Sequence, residues 1–441
     1  MTMLRDAARA FMPYPDAPVV HAASGPVAGL TFAVKDLFDV AGYPTSGGQP
    51  FVLAMSGIKT TTAPTVQRLL DAGAHFVGKT ITDELAFSMN GQNAHFGSPV
   101  NGAAPDRITG GSSSGSASAV SNHLCDFALG SDTGGSVRAP ANHCALVGLR
   151  PTHARISLEG VLDLAPSFDT CGWFTRDVTT FARVAEVLLG ADPAPLPERI
   201  RLLAPTDLWG LLTPEVIEAQ RWPRDRVEAV LGRAAPCEVV LDHFDTMYWS
   251  FRYLQGREAW RTDGALIERF KPPLGPGVKD RFVWARDVSD AQVATANAFR
   301  ERFRAHLAHL LGNDGVLVIP TMPDIAPFAS AGRRRTLRRC IMSSPRIGAT
   351  FSPCRFFAMR PVPSCRTPMR RLRTRPWGRS RDWRSPSRTC STSPAIRPAA
   401  ASRSCWRCRG SRRRPRRPCS ACSTPVRASS ARRSPTSWRS R

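Results

Sequence analysis

Long apolar segments are missing from this sequence of 441 residues. No run approaches the roughly 18 apolar residues that a membrane-spanning helix requires, and the first 14 residues carry charges where a secretory leader would have an apolar core. We therefore expect a cytoplasmic protein that does not enter a membrane. Thiols stay reduced in that compartment, so the four cysteines before position 331 are not expected to form disulfides.

Metal-binding arrangements of histidine and cysteine are also missing. The chain has nine His and 12 Cys, but they are not grouped at the spacings typical of metal sites. The sequence therefore implies no metal and no cofactor. Histidines such as His75, His95, His123 and His143 are expected to make ordinary hydrogen bonds.

Lysine is absent from the C-terminal part of the chain. From Ala331 onward there are 31 Arg, eight of the 12 Cys and a single acidic residue, Asp382. The 330 residues before it carry a net charge of −5, so the formal charge of +25 comes entirely from this tail. A nucleic-acid-binding arm is one interpretation. We prefer a different interpretation. GC-rich DNA that is translated out of frame yields a segment rich in arginine, proline, serine and cysteine but without lysine. On this interpretation residues 333–441 are not a natural domain, and no nucleic-acid partner is expected.

A glycine-rich turn contains the strongest candidate nucleophile, Ser136. The apolar run 127–130 predicts a buried strand before the turn, and residues 137–141 predict a helix after it. Two glycines let successive backbone N–H groups face one side, where the positive field of the helix N-terminus adds to theirs. We expect Ser136 to attack a carbonyl and this turn to hold the resulting oxyanion. The residues predicted to form the oxyanion hole or contact the substrate are Thr133, Gly134, Gly135, Asp132 and Arg138.

A second glycine-freed turn and a strand lysine supply a path for the proton. Ser112 follows two glycines and precedes a predicted helix, and its hydroxyl can both accept and donate a proton. Lys35 ends the strand pattern 30–34, whose alternation turns Lys35 and Asp36 to opposite faces. Burial can lower the pKa of a lysine by up to about 3 to 5 units. A neutral Lys35 would then be the base that deprotonates Ser136 through Ser112. Asp132 and Arg138 are as well suited to supporting the turn as to contacting substrate.

Two other motifs predict different chemistry. Residues 73–80 match the phosphate-binding loop pattern, but a helical pattern precedes them and their middle has a strand pattern, which is the reverse of what a phosphate loop needs. Residues 111–115 match the nucleophile elbow of Ser-His-Asp hydrolases, with Ser113 as the nucleophile. No buried strand pattern comes directly before them. We therefore reject both interpretations.

The three proposed catalytic residues and their surroundings resemble the amidase signature family, which uses a Ser-cisSer-Lys triad in this order along the chain. The resemblance extends from about Gly29 to Met322. Within the family the chain is most similar to amidases of the indole-3-acetamide hydrolase type, through residues 35–43 and the segment Ser167-Phe168-Asp169-Thr170. Further matching segments are 83–86, 90–93, 148–151 and 315–321.

The resemblance implies an α/β fold in which a large mixed β-sheet is flanked by helices. We expect a catalytic domain at residues 1–332, with the triad before about residue 200 and a helix-rich cover at 201–312. Nothing after Ala331 resembles the C-terminal part that completes the sheet in this family, so that completion is expected to be missing.

The resemblance also implies hydrolysis of a linear amide, in which Ser136 forms an acyl-enzyme, Ser112 relays protons and Lys35 is the base. The expected partner is a small, largely apolar amide such as an arylacetamide. A homodimer is the candidate assembly. An inactive frame-shifted product and nucleic-acid binding through the tail are the alternatives.

The tail predicts a property of the gene. If residues 333–441 are translated out of frame, a one- or two-nucleotide correction near codon 332 should replace the arginine-rich segment with one that contains both charge signs and alternating apolar strands. The corrected protein should be more soluble, because covering an open sheet edge removes a site of aggregation. Translating the DNA in its other frames checks this, and early stop codons in both of them would contradict it.

Overall fold

The computed structural model describes residues 6–191 and 197–329, all of which belong to one compact unit, Met1–Ser352. The predictions made for residues 333–441 and for the missing C-terminal completion lie outside the described residues. The described residues therefore cover nearly all of the predicted catalytic segment.

Five strands form the central sheet. They are β1 (Thr31–Lys35), β2 (His75–Thr80), β3 (Phe127–Ser131), β4 (Val147–Leu149) and β5 (Cys171–Thr175). Their order across the sheet is β2-β1-β3-β5-β4. Strand β1 is parallel to β2 and β3, whereas β5 is antiparallel to β3 and β4. This mixed sheet, with helices packed against it, confirms the predicted α/β fold class.

Ten α-helices occur within residues 6–191 and 197–329. The first five are α1 (Pro50–Ser56), α2 (Pro64–Asp71), α3 (Ser114–Ser121), α4 (Arg138–His143) and α5 (Val178–Leu189). The other five are α6 (Thr206–Trp209), α7 (Pro214–Leu231), α8 (Phe244–Phe270), α9 (Pro276–Arg286) and α10 (Asp290–Leu311). A short 3-10 turn spans Glu84–Ala86. Four of the α-helices begin with proline, whose fixed φ suits the first helical turn.

The middle of the sheet is buried on both faces, which explains why its strands are continuously apolar instead of alternating. Every residue of β3 and β5 is buried. The rings of Phe32 and Phe127 stack across the neighbouring strands with centroids 5.3 Å apart. Trp173 is fully buried in the same core cluster. Two of the buried polar residues, Lys35 and Ser131, end β1 and β3 at the same edge of the sheet.

Helix α3 packs closely on the sheet because its side chains are small. Residues 114–120 are all buried, and they consist of serine, alanine, glycine and one valine. At Gly115 a Cβ atom would lie 2.4 Å from the carbonyl oxygen of Ala10 and 2.5 Å from the backbone nitrogen of Ile81. Glycine is therefore required there, and the close approach holds the start of α3 against the end of β2.

A second, parallel sheet follows the first in sequence. It contains β6 (Arg201–Pro205), β7 (Ala235–Cys237) and β8 (Gly315–Leu317) in the order β7-β6-β8. The sequence predicted a helix-rich segment at 201–312, and this range contains α6 to α10. The three-stranded sheet was not predicted, because strands of three to five residues leave almost no periodic signal.

A buried ion pair ties β1 to β2. Lys79 Nζ lies 2.7 Å from Asp36 Oδ1, and neither side chain is exposed. Lys79 also donates to the carbonyl oxygen of Pro44 and to Thr45 Oγ1, each at 2.7 Å. Asp36 accepts a further hydrogen bond from Tyr14 at 2.8 Å. Residues 73–80 therefore continue from a helix into a strand whose lysine serves the core, which agrees with the rejection of a phosphate loop.

Removing Lys79 should destabilise the fold. Lys79→Ala leaves the buried Asp36 carboxylate without its counter-charge, so the free energy of unfolding should fall by about 3–5 kcal/mol. The matched control is Lys59→Ala, which removes a partly exposed pair with Asp39 at 3.6 Å and should cost less than about 1 kcal/mol. Urea denaturation measures both. Equal losses in the two variants would show that the buried pair is not a major support of the sheet.

Candidate active site

The site lies where the carboxyl ends of β1 and β3 meet the N-terminal ends of α3 and α4. Lys35 is the last residue of β1, and Ser131 is the last residue of β3. Ser112 comes just before α3, and Ser136 comes just before α4. Two parallel neighbouring strands thus bring together four segments whose residues are up to 101 positions apart in sequence.

Lys35 is buried among hydroxyl groups. Its Nζ donates to Ser112 Oγ at 2.7 Å and to Ser131 Oγ at 2.8 Å. Burial disfavours the charged amine and lowers the pKa of Lys35 from 10.5 to about 7, although the negative charges of Asp83, Asp132 and Asp169 partly oppose this shift. A substantial fraction of Lys35 is therefore neutral near pH 7, and a neutral amine can accept a proton.

Ser112 sits in a constrained backbone segment. The peptide bond between Gly111 and Ser112 is cis. The Ser112 carbonyl oxygen accepts the N–H of Asp83 at 3.0 Å and the hydroxyl of Thr82 at 3.1 Å. At Gly111 a Cβ atom would lie 2.3 Å from an Asp83 carboxylate oxygen. The glycine leaves room for Asp83, and Asp83 in turn holds the backbone that carries Ser112.

The turn that carries Ser136 is held by the carboxylate of Asp132. Asp132 accepts the N–H groups of Gly135 at 2.8 Å and Val137 at 3.1 Å, together with the backbone and side chain of Arg138. Burial alone would raise the pKa of Asp132, but hydrogen bonds and charge from Arg138, reinforced by Arg150, lower it to about 2. The ionised carboxylate fixes the turn, so Asp132 and Arg138 contact each other and the turn backbone.

The backbone donors of the turn are not all available. The N–H of Gly135 is already donated to Asp132. The N–H groups of Thr133, Gly134 and Ser136 have no acceptor within the part of the chain that the structure describes. Fewer backbone donors than predicted are therefore left for the oxyanion. Gly135, at φ +126°, supplies conformational freedom, and the free N–H groups are those of Thr133, Gly134 and Ser136.

Ser136 itself is almost fully buried, at 3% exposure, and its carbonyl oxygen accepts the N–H of Ser113 at 3.3 Å. The two serine segments are thus adjacent. Ser113 is fully buried, and its hydroxyl donates to the carbonyl oxygen of Ser131 at 3.1 Å. It is therefore occupied within the core, which disfavours the nucleophile-elbow interpretation. The direct link between the hydroxyls of Ser112 and Ser136 stays a prediction.

Apolar side chains surround the turn. A Cβ atom at Gly134 would lie 2.7 Å from Phe251 Cζ of α8, and one at Gly135 would lie 2.9 Å from Met89 Cε. Beside them is a small cavity of about 10 Å³. It is lined by leucines 37, 158, 162 and 164 and by Ala86, Ser131, Thr133, Val161, Asp163 and Asp169. This space beside Ser131 is thus mainly apolar, and it has room for about one water molecule.

Several residues of the site were not predicted to belong to it. Ser131, the second hydroxyl partner of Lys35, could have been found because it ends a strand next to the one that Lys35 ends. Asp83 lies in a segment noted only for its resemblance to the family. Arg150 donates to Asp132 and also to the carbonyl oxygen of Phe168 at 2.8 Å. Such contacts join distant segments and leave no local signal.

Among the described residues, no group of three or more His, Cys, Asp or Glu side chains is arranged to hold a metal ion. His95 lies 2.9 Å from Glu84, and the pKa of His143 is lowered by burial. The side chain that can act as a base beside the serines is Lys35.

Comparison with known proteins assigns the chain and its fold to a family. The amidase family model matches residues 2–201. Amidase 1 of Arabidopsis thaliana is 40% identical over 335 residues, which are 69% of this chain and 78% of that protein. A solved amidase structure superimposes with a TM-score of 0.62 at 32% identity and covers 69% of each chain. The protein belongs to the amidase family and is an amide-hydrolysing enzyme. The 2-amino-5-chloromuconic acid deaminase of Comamonas testosteroni is also similar, at 35% identity over 69% of this chain and 67% of that protein.

The predicted cytoplasmic location is contradicted by two other relatives. Outer envelope protein 64, chloroplastic, of Arabidopsis thaliana is 34% identical over 71% of this chain, which spans 57% of that protein. The mitochondrial outer envelope protein 64 is 32% identical, and the chain spans 58% of it. Amidase-like cores therefore occur in proteins named for organelle membranes, so the composition of such a core does not report its compartment. Within the described residues, no helix is both long and apolar enough to cross a membrane.

Proposed function

We propose that this amidase hydrolyses a small, largely apolar amide to a carboxylic acid and ammonia or an amine, with Ser136 as nucleophile, Ser112 as proton relay and Lys35 as base. One observation carries the proposal: the Lys35 amine is buried, has a pKa near neutrality and lies 2.7 Å from the Ser112 hydroxyl. A base in that state next to a serine can take part in proton transfer at neutral pH.

The acylation half of the reaction begins with Lys35 in its neutral form. Lys35 Nζ accepts the proton of Ser112 while Ser112 Oγ accepts the proton of Ser136, whose Oγ forms a bond to the amide carbonyl carbon. The carbonyl oxygen becomes an oxyanion and receives hydrogen bonds from the free N–H groups of Thr133, Gly134 and Ser136. Such prearranged donors contribute several kcal/mol of transition-state stabilisation in related chemistry, of the order of 3–4 for one donor.

The intermediate then collapses with cleavage of the carbon–nitrogen bond. Ser112 gives a proton to the departing nitrogen and regains one from the Lys35 ammonium, which returns to the neutral amine. Water attacks the Ser136 ester by the same relay run again, so the acid leaves and the enzyme is restored. No net proton or electron is left on the protein.

The apolar surroundings support a small apolar acyl group. Phe251 and Met89 face the glycines of the turn that carries Ser136. An aromatic or alkyl acyl group would lose less hydration here than a charged one. The segments that resemble indole-3-acetamide hydrolases point to the same class, so we propose an arylacetamide as the representative substrate.

We also propose that the functional domain ends near residue 332 and that residues 333–441 arise from out-of-frame translation. The tail composition supports this, as does the match of Amidase 1 to 69% of the chain. Activity is accordingly attributed to the domain before the tail. If the arginines of the tail bound nucleic acid, the binding affinity would fall steeply as the salt concentration rises.

Replacing the nucleophile should abolish acyl-enzyme formation. Ser136→Ala should not be labelled by a reactive fluorophosphonate, because the attacking oxygen is gone, whereas Ser113→Ala should still be labelled if it folds. Intact-protein mass spectrometry after labelling measures this, with circular dichroism to confirm folding. Labelling that persists in Ser136→Ala and disappears in Ser113→Ala would establish the nucleophile-elbow alternative.

The base predicts both a pH profile and a mutant effect. Protonated Lys35 cannot accept a proton, so kcat/KM should rise about tenfold per pH unit below neutrality and level off above pH 7, the pKa of Lys35. Lys35→Ala should lower kcat by about 10² to 10⁴ or more. Initial rates on an aryl amide from pH 5 to 9 test this. Near-normal rates in folded Lys35→Ala would exclude the triad.

A further inference from the structure

The segment Ser167-Phe168-Asp169-Thr170 has no role in the reaction proposed above. It leads into β5 and lies between two parts of the fold that are far apart in sequence. On one side are α8 and α10, and on the other is the turn that carries Thr133 and Ser136. We call residues 164–170 the strap loop.

Side chains of α8 and α10 form hydrogen bonds with the strap loop at Ser167. Glu258 of α8 accepts the N–H of Ser167 at 2.8 Å and its hydroxyl at 2.5 Å. Arg300 of α10 donates to the same hydroxyl oxygen and to the Ser167 carbonyl oxygen, both at 2.8 Å. All three polar groups of Ser167 are thus used by two charged side chains. Charge-assisted bonds of this kind are stronger and more directional than neutral ones.

Asp169 and Thr170, in the same loop, form hydrogen bonds with the turn that carries Thr133 and Ser136, which we call the oxyanion turn. Asp169 Oδ1 accepts the hydroxyl of Thr133 at 2.5 Å, while Oδ2 accepts two N–H groups within the loop at 2.9 Å. Thr170 donates its hydroxyl to the Asp132 carbonyl oxygen at 2.8 Å, and its own carbonyl oxygen accepts the Asp132 N–H at 2.9 Å. Two consecutive residues of the loop therefore position the two residues that open the turn.

A second route through aromatic contacts runs alongside the first. The Arg300 guanidinium lies 4.3 Å above the Phe168 ring. The Phe168 ring meets that of Phe251 edge to face, with centroids 5.2 Å apart. Phe251 in turn faces Gly134. A shift of α8 or α10 would therefore displace the free N–H donors of the turn, both through the hydrogen bonds at Ser167 and through these aromatic contacts.

We propose that Glu258 and Arg300 are positioning residues that keep the oxyanion turn in its reactive geometry through the strap loop. The proposal rests on the proposed function of that turn. Oxyanion donors work only within about 2.7–3.1 Å of the developing charge, and a misplacement of about 1 Å can cost roughly 100-fold in rate. The helical cover would then set the rate of the reaction as well as enclose the substrate.

The two helices offer a matched control. Arg257 of α8 pairs with Asp290 at the start of α10, with 2.5 Å between Nη1 and Oδ1, and also donates to the carbonyl oxygen of Val288. These bonds join the same two helices without contacting the strap loop. Arg257→Met should therefore weaken the helix pair while leaving the oxyanion turn in place.

The experiment compares Glu258→Gln, Arg300→Met and Arg257→Met in the full chain. Hydrogen exchange of the peptide covering 131–137 is measured by mass spectrometry, together with melting temperature, kcat and KM on an aryl amide. Glu258→Gln and Arg300→Met should exchange at least about tenfold faster in this peptide and lose about 10- to 100-fold in kcat, with KM changed less than threefold. Arg300→Lys, which keeps one donor for Ser167, should recover part of both effects.

Arg257→Met should lower the melting temperature without changing exchange in 131–137 or kcat. The proposal is overturned if all three variants alter exchange and kcat in proportion to their loss of stability, because the loop would then be an ordinary structural contact. If the parent chain hydrolyses no amide, the proposed function fails, but the exchange comparison still decides whether the helices hold the turn. If Arg300→Met does not fold, Arg300→Lys and Glu258→Gln decide the outcome.

Discussion

The architecture of the site depends on burying a lysine amine at the end of β1. A fully buried ammonium is costly, and at Lys35 the cost is met in two ways: the pKa falls to about 7, and two serine hydroxyls surround the nitrogen. Both serines must come from other segments, so β3 and the start of α3 have to meet β1 closely. The small residues of α3 and the glycines before Ser112 make that approach sterically feasible.

The neighbouring lysine shows how environment separates two similar side chains. Lys79 is as buried as Lys35, and burial lowers the pKa of both. Lys79 lies against the Asp36 carboxylate, whereas the hydrogen-bond partners of Lys35 among the residues that the structure describes are two hydroxyls. The paired lysine supports the sheet, while the unpaired one keeps a chemically useful amine. The difference arises because adjacent residues on a strand face opposite sides.

Much of the site was predictable because its key residues are next to strong local signals. Glycine pairs before Ser112 and Ser136, apolar strands before Lys35 and Ser136, and the α3 and α4 helix patterns placed these residues in the correct elements. Arg150 and Asp169 were missed as site residues because their importance comes from contacts across the fold, whereas Ser131 could have been found from its position at the end of the strand next to β1. Gly135 was predicted to donate its N–H to the oxyanion, but that N–H is already donated to the Asp132 carboxylate. Only the geometry of the turn reveals this bond.

By itself, the sequence determined the strands and helices next to the proposed serines and lysine, the mixed α/β class, and the abrupt change in composition near residue 331. These follow from local pattern, backbone freedom and side-chain chemistry, which neighbouring residues largely set. The tertiary structure alone decided the pKa of Lys35, the free donors of the turn, the small parallel sheet and the link from Glu258 and Arg300 through Ser167 to Thr133. Apart from the bond between Gly135 and Asp132, those properties depend on burial and on contacts between residues 32 to 133 positions apart, and no local pattern encodes such distances.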